Sequence, residues 1–200
     1  MIKGFPKAME KLMIEFSKMP GIGMRSAQRL TSYILQSSSQ EVRSLLHSIY
    51  RVKKTIKFCK KCNNLSEQDF CDICSDKCKD QNKICVVEES TGVFAIEKIG
   101  VYNGLYHVLL GQLSPINGIG PDDLKIEQLI NRVKKENIEE IIIATDFTTE
   151  GETTALYIFE VLKNINIKIT RLARGIPMGA MLEYADVATL ERAFQDRQKV

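Results

Sequence analysis

The last two thirds of the chain alternate between short apolar runs rich in β-branched residues and longer stretches in which apolar residues recur every three or four positions. The runs have the length of buried strands, and the stretches have the period of amphipathic helices. The predicted strands are 84–87, 105–110, 141–144 and 167–173, and the predicted helices are 91–99, 125–135 and 152–162. Continuous apolar strands separated by helices are typical of a parallel sheet covered on both faces. The pattern therefore predicts an α/β domain.

The first 55 residues have a helical pattern without strands. Helices are predicted over 25–36 and 41–54, and the second of them has apolar residues at helical spacing from Val42 to Val52. The sequence Met19-Pro20-Gly21-Ile22-Gly23 precedes the first of these helices. Its two glycines allow a tight turn and a close approach of the backbone to a ligand. This segment is therefore expected to be a helix-hairpin-helix.

Composition is that of an ordinary globular protein, with 44% hydrophobic residues among 200. No apolar run is long enough to cross a bilayer, and residues 1–16 do not resemble a secretion signal, so we expect a cytoplasmic protein. The net charge of +3 is unevenly distributed. Residues 1–61 carry thirteen basic and three acidic side chains, whereas the remainder carries fifteen basic and twenty-two acidic ones. A basic front end on an acidic body indicates a polyanion partner at the N-terminus, unless these charges only solvate helix faces.

Four cysteines have the spacing of a structural metal site. Cys59 and Cys62 form one Cys-x-x-Cys pair, and Cys71 and Cys74 form a second pair after eight residues. Two such pairs supply four thiolates in a closed tetrahedron, the usual arrangement for a zinc ion that shapes a fold. The alternatives are disulfides, which need an oxidising compartment, or thiols without a metal. The spacing predicts one structural zinc per chain.

Two further cysteines lie outside this set. Cys78 could compete as a ligand, although a free thiol or one lying next to the metal site is the better interpretation. Cys85 lies in an apolar run and is expected to be a small core residue.

The hairpin has the features of a phosphate-binding element. Gly21 and Gly23 let the backbone turn, and the helix that follows presents free N–H groups and its positive dipole end. Arg25 and Arg29 lie one helical turn apart and would add positive charge, as would Lys18 before the turn. DNA backbone is the ligand that this arrangement favours. In the alternative interpretation the glycines serve only a packing turn.

Acidic residues follow two of the predicted strands. Glu88 and Glu89 end the first strand, and Asp146 ends the third, followed by Glu150 and Glu152. Carboxylates at neighbouring strand ends can hold Mg²⁺ for phosphoryl transfer. Alternatively, they lie at the N-termini of the following helices, where negative charge is favourable.

This layout resembles the Toprim fold of topoisomerases and bacterial primases, whose motif is a Glu after one strand and Asp-x-Asp after another. Thr148 stands where that motif has its second Asp.

The order of the parts, together with several motifs, resembles the bacterial recombination mediator family RecR over essentially the whole chain. The motifs that carry the resemblance are 19–23, 84–88, 113–115, 118–122, 149–152, 175–179 and 182–184.

The resemblance implies four parts and no catalytic turnover. The parts are a helix-hairpin-helix domain at 1–55, a four-cysteine zinc finger at 56–80, a Toprim domain at 81–176, and a helical or extended C-terminal arm for oligomerisation at 177–200. Relatives form ring-shaped homo-oligomers, and we expect a tetramer here. They clamp single- or double-stranded DNA in the nucleoid and, with the mediator RecO, load RecA onto strands coated by single-strand-binding protein. In the family the acidic Toprim cluster contacts that partner, which makes Glu88, Asp146, Glu150 and Glu152 partner-binding candidates.

Two other functions are consistent with parts of the sequence. The first is a Mg²⁺-dependent Toprim nuclease or primase-like enzyme, which the threonine at position 148 disfavours. The second is a zinc-ribbon module that binds only protein, which the basic N-terminal segment disfavours.

Overall fold

The computed structural model describes residues 4–176, 179–195 and 197. The chain divides into two compact units, one ending at Ile56 and the other beginning at Lys57. In the described part of the chain, no helix is long and apolar enough to cross a membrane.

The described part of the N-terminal unit, from Gly4 onward, contains three helices. They are α1 (Lys7–Ser17), α2 (Met24–Gln36) and α3 (Ser39–Thr55). Helix α3 begins with a reciprocal cap, in which the Ser38 hydroxyl accepts from the Glu41 N–H at 3.2 Å and the Glu41 carboxylate accepts from the Ser38 N–H at 2.8 Å. Helices α1 and α2 pack together around Met13, Ala27 and Thr31. Among its described residues, α3 buries no side chain.

The second unit begins with the cysteine-rich segment. Strand β1 (Lys57–Phe58) pairs antiparallel with β2 (Leu65–Ser66), and a single helical turn, α4 (Asp72–Ser75), follows. The buried cluster of this segment consists of three of its cysteines, against which Ile73 and Cys74 pack. So small an apolar cluster cannot order the segment without a further cross-link.

The rest of the unit is the predicted parallel sheet. Its strands are β3 (Asp80–Val87), β4 (Gly104–Val108), β5 (Glu140–Ile143) and β6 (Lys168–Arg171), in the order β4-β3-β5-β6, and all of the pairs are parallel. The helices between them are α5 (Ser90–Ile99), α6 (Ile126–Lys135) and α7 (Thr149–Leu162). The predicted α/β class is confirmed, with element ends that differ by a few residues.

Strand β4 ends two residues earlier than predicted. Leu110 has a φ of 64° and Gly111 a φ of 147°, so the backbone leaves the extended conformation after Leu109. The apolar run continues into this turn, and apolarity alone therefore indicated the wrong end for the strand.

Successive side chains of β3 point to opposite faces of the sheet and contribute to two separate hydrophobic clusters. Ile84 and Val86 join a cluster with residues of α6 and α7, whereas Cys85 and Val87 join a cluster with Val93 of α5. The sheet is therefore covered by helices on both faces, as predicted. Its carboxyl edge, where β3 and β5 end, carries the acidic residues.

The C-terminal segment contains a 3-10 turn (Leu182–Tyr184) and helix α8 (Val187–Gln195), and most of its side chains are exposed. The predicted helical or extended arm is confirmed as a class of structure. Two residues of the 175–179 motif, Pro177 and Met178, lie outside the described residues.

Candidate zinc centre, phosphate-binding hairpin and acidic cleft

The four predicted zinc ligands come together. The sulfur atoms of Cys59, Cys62, Cys71 and Cys74 all lie within 4.8 Å of one another, and the Cys62 and Cys71 sulfurs are 3.5 Å apart. A tetrahedral zinc with Zn–S bonds of about 2.3 Å would place its sulfurs about 3.8 Å apart. The sulfur positions therefore fit one zinc ion, and they leave no ligand position for a substrate.

The first pair is shaped by backbone hydrogen bonds. The Asn63 N–H donates to the Cys59 carbonyl at 2.9 Å, and the Cys59 N–H donates to the Asn64 carbonyl at 2.7 Å. Asn63 has a φ of 62°, a left-handed conformation that turns the chain so that both sulfurs point inward. The Cys71 N–H then donates to the Cys59 sulfur at 3.3 Å and links the two pairs.

The other two cysteines have different environments. Cys78 is exposed and lies outside the group of sulfurs. Cys85 is buried in β3, as predicted, and burial raises the pKa of its thiol to about 12.

The hairpin has the backbone geometry that the sequence predicts. Between α1 and α2, Gly21 has a φ of 78°, and the Ile22 N–H donates to the Met19 carbonyl at 3.1 Å. Gly23 is the N-cap of α2 and offers no side chain to cap the first N–H groups of the helix.

Two of the predicted basic side chains lie along helix α2. Arg25 and Arg29 are exposed and line one open groove along α2, together with Gln28, Ser32, Tyr33 and Gln36. Lys18 makes an exposed ion pair with Glu15 at 2.8 Å, an interaction too weak to prevent exchange of partners.

The acidic residues at the strand ends do not form one uniform group. Glu88, at the end of β3, is 8% exposed, and its carboxylate accepts a hydrogen bond from the Asp146 N–H at 3.2 Å. Burial, together with the neighbouring Asp146 carboxylate, raises the pKa of Glu88 to about 7. These two residues line a small cleft whose opposite wall includes Gly111 and Gln112.

Gly151 allows α7 to approach this cleft closely. A Cβ atom on Gly151 would overlap the Asp146 carbonyl oxygen and would lie 2.8 Å from the Glu88 carboxylate. No side chain can be accommodated there without moving the backbone. The glycine in the 149–152 motif is therefore a packing requirement, which the sequence did not reveal.

Thr148, the residue that departs from the Asp-x-Asp motif, caps α7. Its hydroxyl accepts a hydrogen bond from the Gly151 N–H at 3.1 Å. Glu150 and Glu152 lie in the first turn of the same helix, where negative charge is favourable. Among the described residues, the cysteine group is the only set of three or more metal-binding side chains close enough to share an ion.

Glu152 is held by two arginines that the sequence analysis missed. Its carboxylate oxygens are 2.6 Å and 2.5 Å from the guanidinium groups of Arg171 and Arg174. Burial raises the pKa of Glu152, but the hydrogen bonds and positive charge of the two arginines outweigh this, so the net shift is downward.

The same arginines lie over the ring of Phe147, at 5.3 and 5.2 Å from its centroid. The signal in the sequence was the position of Arg171 and Arg174, three residues apart at the end of the last strand and so at the same sheet edge as the acidic motif.

Comparison with known proteins agrees with this arrangement. Residues 9–53 match the model described as RecR, helix-hairpin-helix, and residues 56–76 match the RecR zinc finger domain with four cysteines. Residues 82–173 match the Toprim domain, and residues 175–198 match RecR, C-terminal. The recombination protein RecR of Desulfatibacillum aliphaticivorans is 45% identical over 193 residues, which cover 96% of this chain and 97% of that relative.

A helix-hairpin-helix unit, a four-cysteine zinc finger and a Toprim sheet in one chain define a class of zinc-containing Toprim proteins that act on DNA. Within that class, the chain belongs to the RecR family of recombination proteins. It is thus a protein of recombinational DNA repair with one structural zinc ion.

We predict that Cys62→Ser lowers the zinc content well below one ion per chain and lowers the melting temperature. Zinc binding to such a site can contribute on the order of 10 kcal/mol to local folding. Zinc content is measured by mass spectrometry under native conditions. Cys78→Ser is the matched control, since that thiol is exposed and outside the cluster, and it should keep its zinc. Full zinc retention in Cys62→Ser would contradict the site.

We also predict that Glu88→Gln stabilises the protein more at pH 8 than at pH 5. The folded-state pKa of about 7 lies above the ordinary value of 4.5, so between these values the folded chain binds a proton that the unfolded chain has lost. The free energy of unfolding therefore falls as pH rises through this window, by about 3 kcal/mol in total. Gln removes the titration and keeps an acceptor for the Asp146 N–H.

Melting temperatures of the wild type, Glu88→Gln and the exposed neighbour control Glu89→Gln, recorded from pH 5 to 8, test this prediction. A pH profile of Glu88→Gln parallel to that of the wild type would show that Glu88 does not titrate in this range.

Proposed function

We propose that this protein is a DNA-binding recombination mediator that works without catalytic turnover. In this proposal the hairpin grips DNA backbone, and a RecO-type partner binds the acidic cleft. The complex then helps to load RecA onto single strands covered by single-strand-binding protein. The observation that carries the proposal is the open N-terminus of α2 at Gly23.

No contact within the described chain requires a glycine at position 23, although glycine is acceptable at a helix N-cap. Its φ of −80° is available to any residue, and a Cβ there would meet no atom within 4 Å among the described residues. Gly21, in contrast, is explained by its positive φ. A bare N-cap beside free N–H groups is what close contact with a phosphate oxygen requires. We therefore interpret Gly23 as a site of ligand approach.

The groove next to Gly23 suits a nucleic-acid strand. Arg25 and Arg29 supply positive charge that lacks a neutralising acid on α2, since that helix contains no Asp or Glu. Tyr33 is 64% exposed in the same groove and offers an aromatic face to a base or sugar. The contacts are of the kind that position a backbone rather than read a sequence.

Exposed apolar surfaces support assembly into a homo-oligomer, which we propose to be a ring-like tetramer. Leu46, Ile49 and Val52 of α3 are 56 to 61% exposed. In the C-terminal segment, Leu182 and Tyr184 are 63% and 79% exposed. Apolar surface on this scale is typical of faces covered by another chain. We propose that residues 177–200 form one of the contacts between copies.

For the RecO-type partner, we propose different roles for the four acidic candidates. Glu88 and Asp146 line the cleft, and Glu150 is half-buried in the first turn of α7. Glu152 is committed to Arg171 and Arg174, so it is a positioning residue that keeps the end of β6 against α7.

The non-catalytic proposal is supported by the use of Thr148 as a helix cap. A hydroxyl committed to the Gly151 N–H cannot replace the second aspartate of a Toprim metal site as a charged ligand. Mg²⁺-dependent cleavage or synthesis of DNA that disappears in Glu88→Ala would contradict this proposal.

We predict that the double variant Arg25→Ala/Arg29→Ala weakens DNA binding equally across sequences and flattens its salt dependence. Losing two phosphate contacts should reduce the log–log salt slope by about 1.4 on single strands or about 1.8 on duplex. The matched control is Arg43→Ala/Lys53→Ala, which removes the same charge from exposed positions of α3. Binding is measured by fluorescence anisotropy at several salt concentrations, with and without the partner. A wild-type salt slope both with and without the partner would show that the hairpin is only a packing turn.

Gly23→Ala tests the close approach without a change in charge. The substitution should alter the stability of α2 by less than about 1 kcal/mol. DNA affinity should nevertheless fall, because the new methyl group occupies the space of a phosphate oxygen. Wild-type affinity would show that no ligand approaches Gly23.

We further predict that Glu150→Ala weakens the complex with the RecO-type partner and leaves the melting temperature unchanged. Glu152→Ala should lower both, because it leaves two arginines without their carboxylate. Glu160→Ala, an exposed acid farther along α7, is the control. Partner affinity is measured by calorimetry. Equal partner affinity for Glu150→Ala and Glu160→Ala would remove Glu150 from the interface.

A further inference from the structure

The zinc-binding segment contacts the C-terminal end of the outer strand of the parallel sheet. That strand is β4, and the outward N–H of its last residue, Val108, donates to the carbonyl of Cys62 at 2.7 Å. The Val108 carbonyl accepts from the side-chain amide of Asn63 at 3.2 Å. A zinc ligand and its neighbour therefore pair with the N–H and the carbonyl of Val108, groups that an edge strand otherwise leaves free.

The same segment is also attached to helix α6. Gln128 accepts from the Asn63 amide at 3.0 Å and donates to the Lys60 carbonyl at 3.1 Å. At the C-terminal end of the helix, Glu136 pairs with Lys61 at 3.3 Å. The loop of the first cysteine pair is thus held by both β4 and α6.

Asn63 is at a position where backbone geometry alone would favour glycine. Its φ of 62° costs a side chain some strain. The side-chain amide of Asn63 donates hydrogen bonds to Val108 and Gln128, which explains why this position holds an asparagine. Its side chain, rather than its backbone, connects the zinc segment to the sheet.

Val108 is followed directly by the turn that forms one wall of the acidic cleft. The Leu109 N–H donates to the Val87 carbonyl at 2.9 Å, and the Gly111 N–H donates to the Glu88 carbonyl at 3.0 Å. Gln112 then lines the cleft with Glu88 and Asp146. Leu110 and Gly111 both have positive φ values, an uncommon backbone conformation. The turn therefore depends on contacts with neighbouring residues to keep its shape.

We propose that the zinc segment is a clamp on β4, and that zinc occupancy sets the order of the cleft wall at residues 109–113. With the metal bound, the Cys62 carbonyl and the Asn63 amide are fixed and hold Val108. When the metal leaves, the segment retains too small an apolar cluster to keep that geometry, and the end of β4 is released. The inference concerns the chain alone and holds whether or not the cleft binds a partner.

The test compares two variants that cut the connection with one that does not. Asn63→Gly keeps the left-handed backbone and removes the amide, and Gln128→Ala removes the contact from the α6 side, away from the ligands. Glu127→Ala is the matched control, an exposed neighbour of Gln128 on the same helix. Hydrogen exchange of residues 109–113 is measured by mass spectrometry, and zinc release is timed by transfer to a chromogenic chelator.

We expect exchange at 109–113 to rise roughly five- to thirtyfold in Asn63→Gly and Gln128→Ala, the factor for losing one or two hydrogen bonds. Zinc affinity should fall in the same two variants, because coupling between two sites is reciprocal. We expect this loss of affinity to appear as faster zinc release. Residues 140–143 of β5 should keep wild-type exchange, as should every segment of Glu127→Ala. Zinc removal from the wild type should raise exchange at 109–113 at least as much.

Gln128→Ala decides the outcome, since it lies outside the zinc segment. If its exchange at 109–113 and its zinc release both equal those of Glu127→Ala, the clamp does not exist. A rise that 140–143 shares equally would also overturn the proposal, because it would report general destabilisation of the sheet.

Discussion

The hydrogen bond between the Val108 N–H and the Cys62 carbonyl joins the zinc segment, which has little core of its own, to the parallel sheet. A four-stranded parallel sheet has two edges, and an edge with free N–H and C=O groups invites pairing with other chains. The cysteine-rich segment has a buried cluster made mostly of its own thiols. Their contact stabilises both parts. The sheet holds the zinc segment in place, and the zinc segment supplies hydrogen-bond partners for the N–H and carbonyl at the end of β4. Ile73 completes the junction, because it packs against both the cysteine cluster and the core on the α5 side.

Close approach of helix α7 to the acidic cleft depends on Gly151. Because no Cβ fits between the Asp146 carbonyl and Glu88, helix α7 can begin directly against the ends of β3 and β5 only with a glycine at this position. That placement brings the first turn of α7 against Asp146 and Glu88. It also buries Glu88 next to another acid, which is why its pKa rises to about 7. The chemistry of the cleft thus follows from a packing requirement.

The sequence predicted what depends on local pattern. Alternating apolar runs identified the parallel sheet, the cysteine spacing identified the zinc ligands, and the two hairpin glycines identified the turn before α2. It did not predict the contacts between segments distant in the chain. The pairing of Glu152 with Arg171 and Arg174 spans 19 and 22 residues, and the link from Asn63 to Val108 spans 45. The end of β4 was placed wrongly because a left-handed turn at Leu110 has no apolar signature.

Charge is separated in this chain at two scales. Over the whole sequence, a basic N-terminal segment precedes an acidic body, which favours a phosphate ligand on one and a basic partner on the other. Within the acidic motif, Glu152 is neutralised by two arginines while Glu150 lacks such a pair among the described ion pairs. Two identical side chains two residues apart therefore differ in what they can offer a partner. A glutamate already bonded to arginine must break that contact before it can bind another cation, whereas Glu150 only has to lose water. An acidic sequence motif of this kind therefore contains more carboxylates than a partner can readily bind. Ion pairs within the folded chain determine which of these carboxylates remain available to the partner.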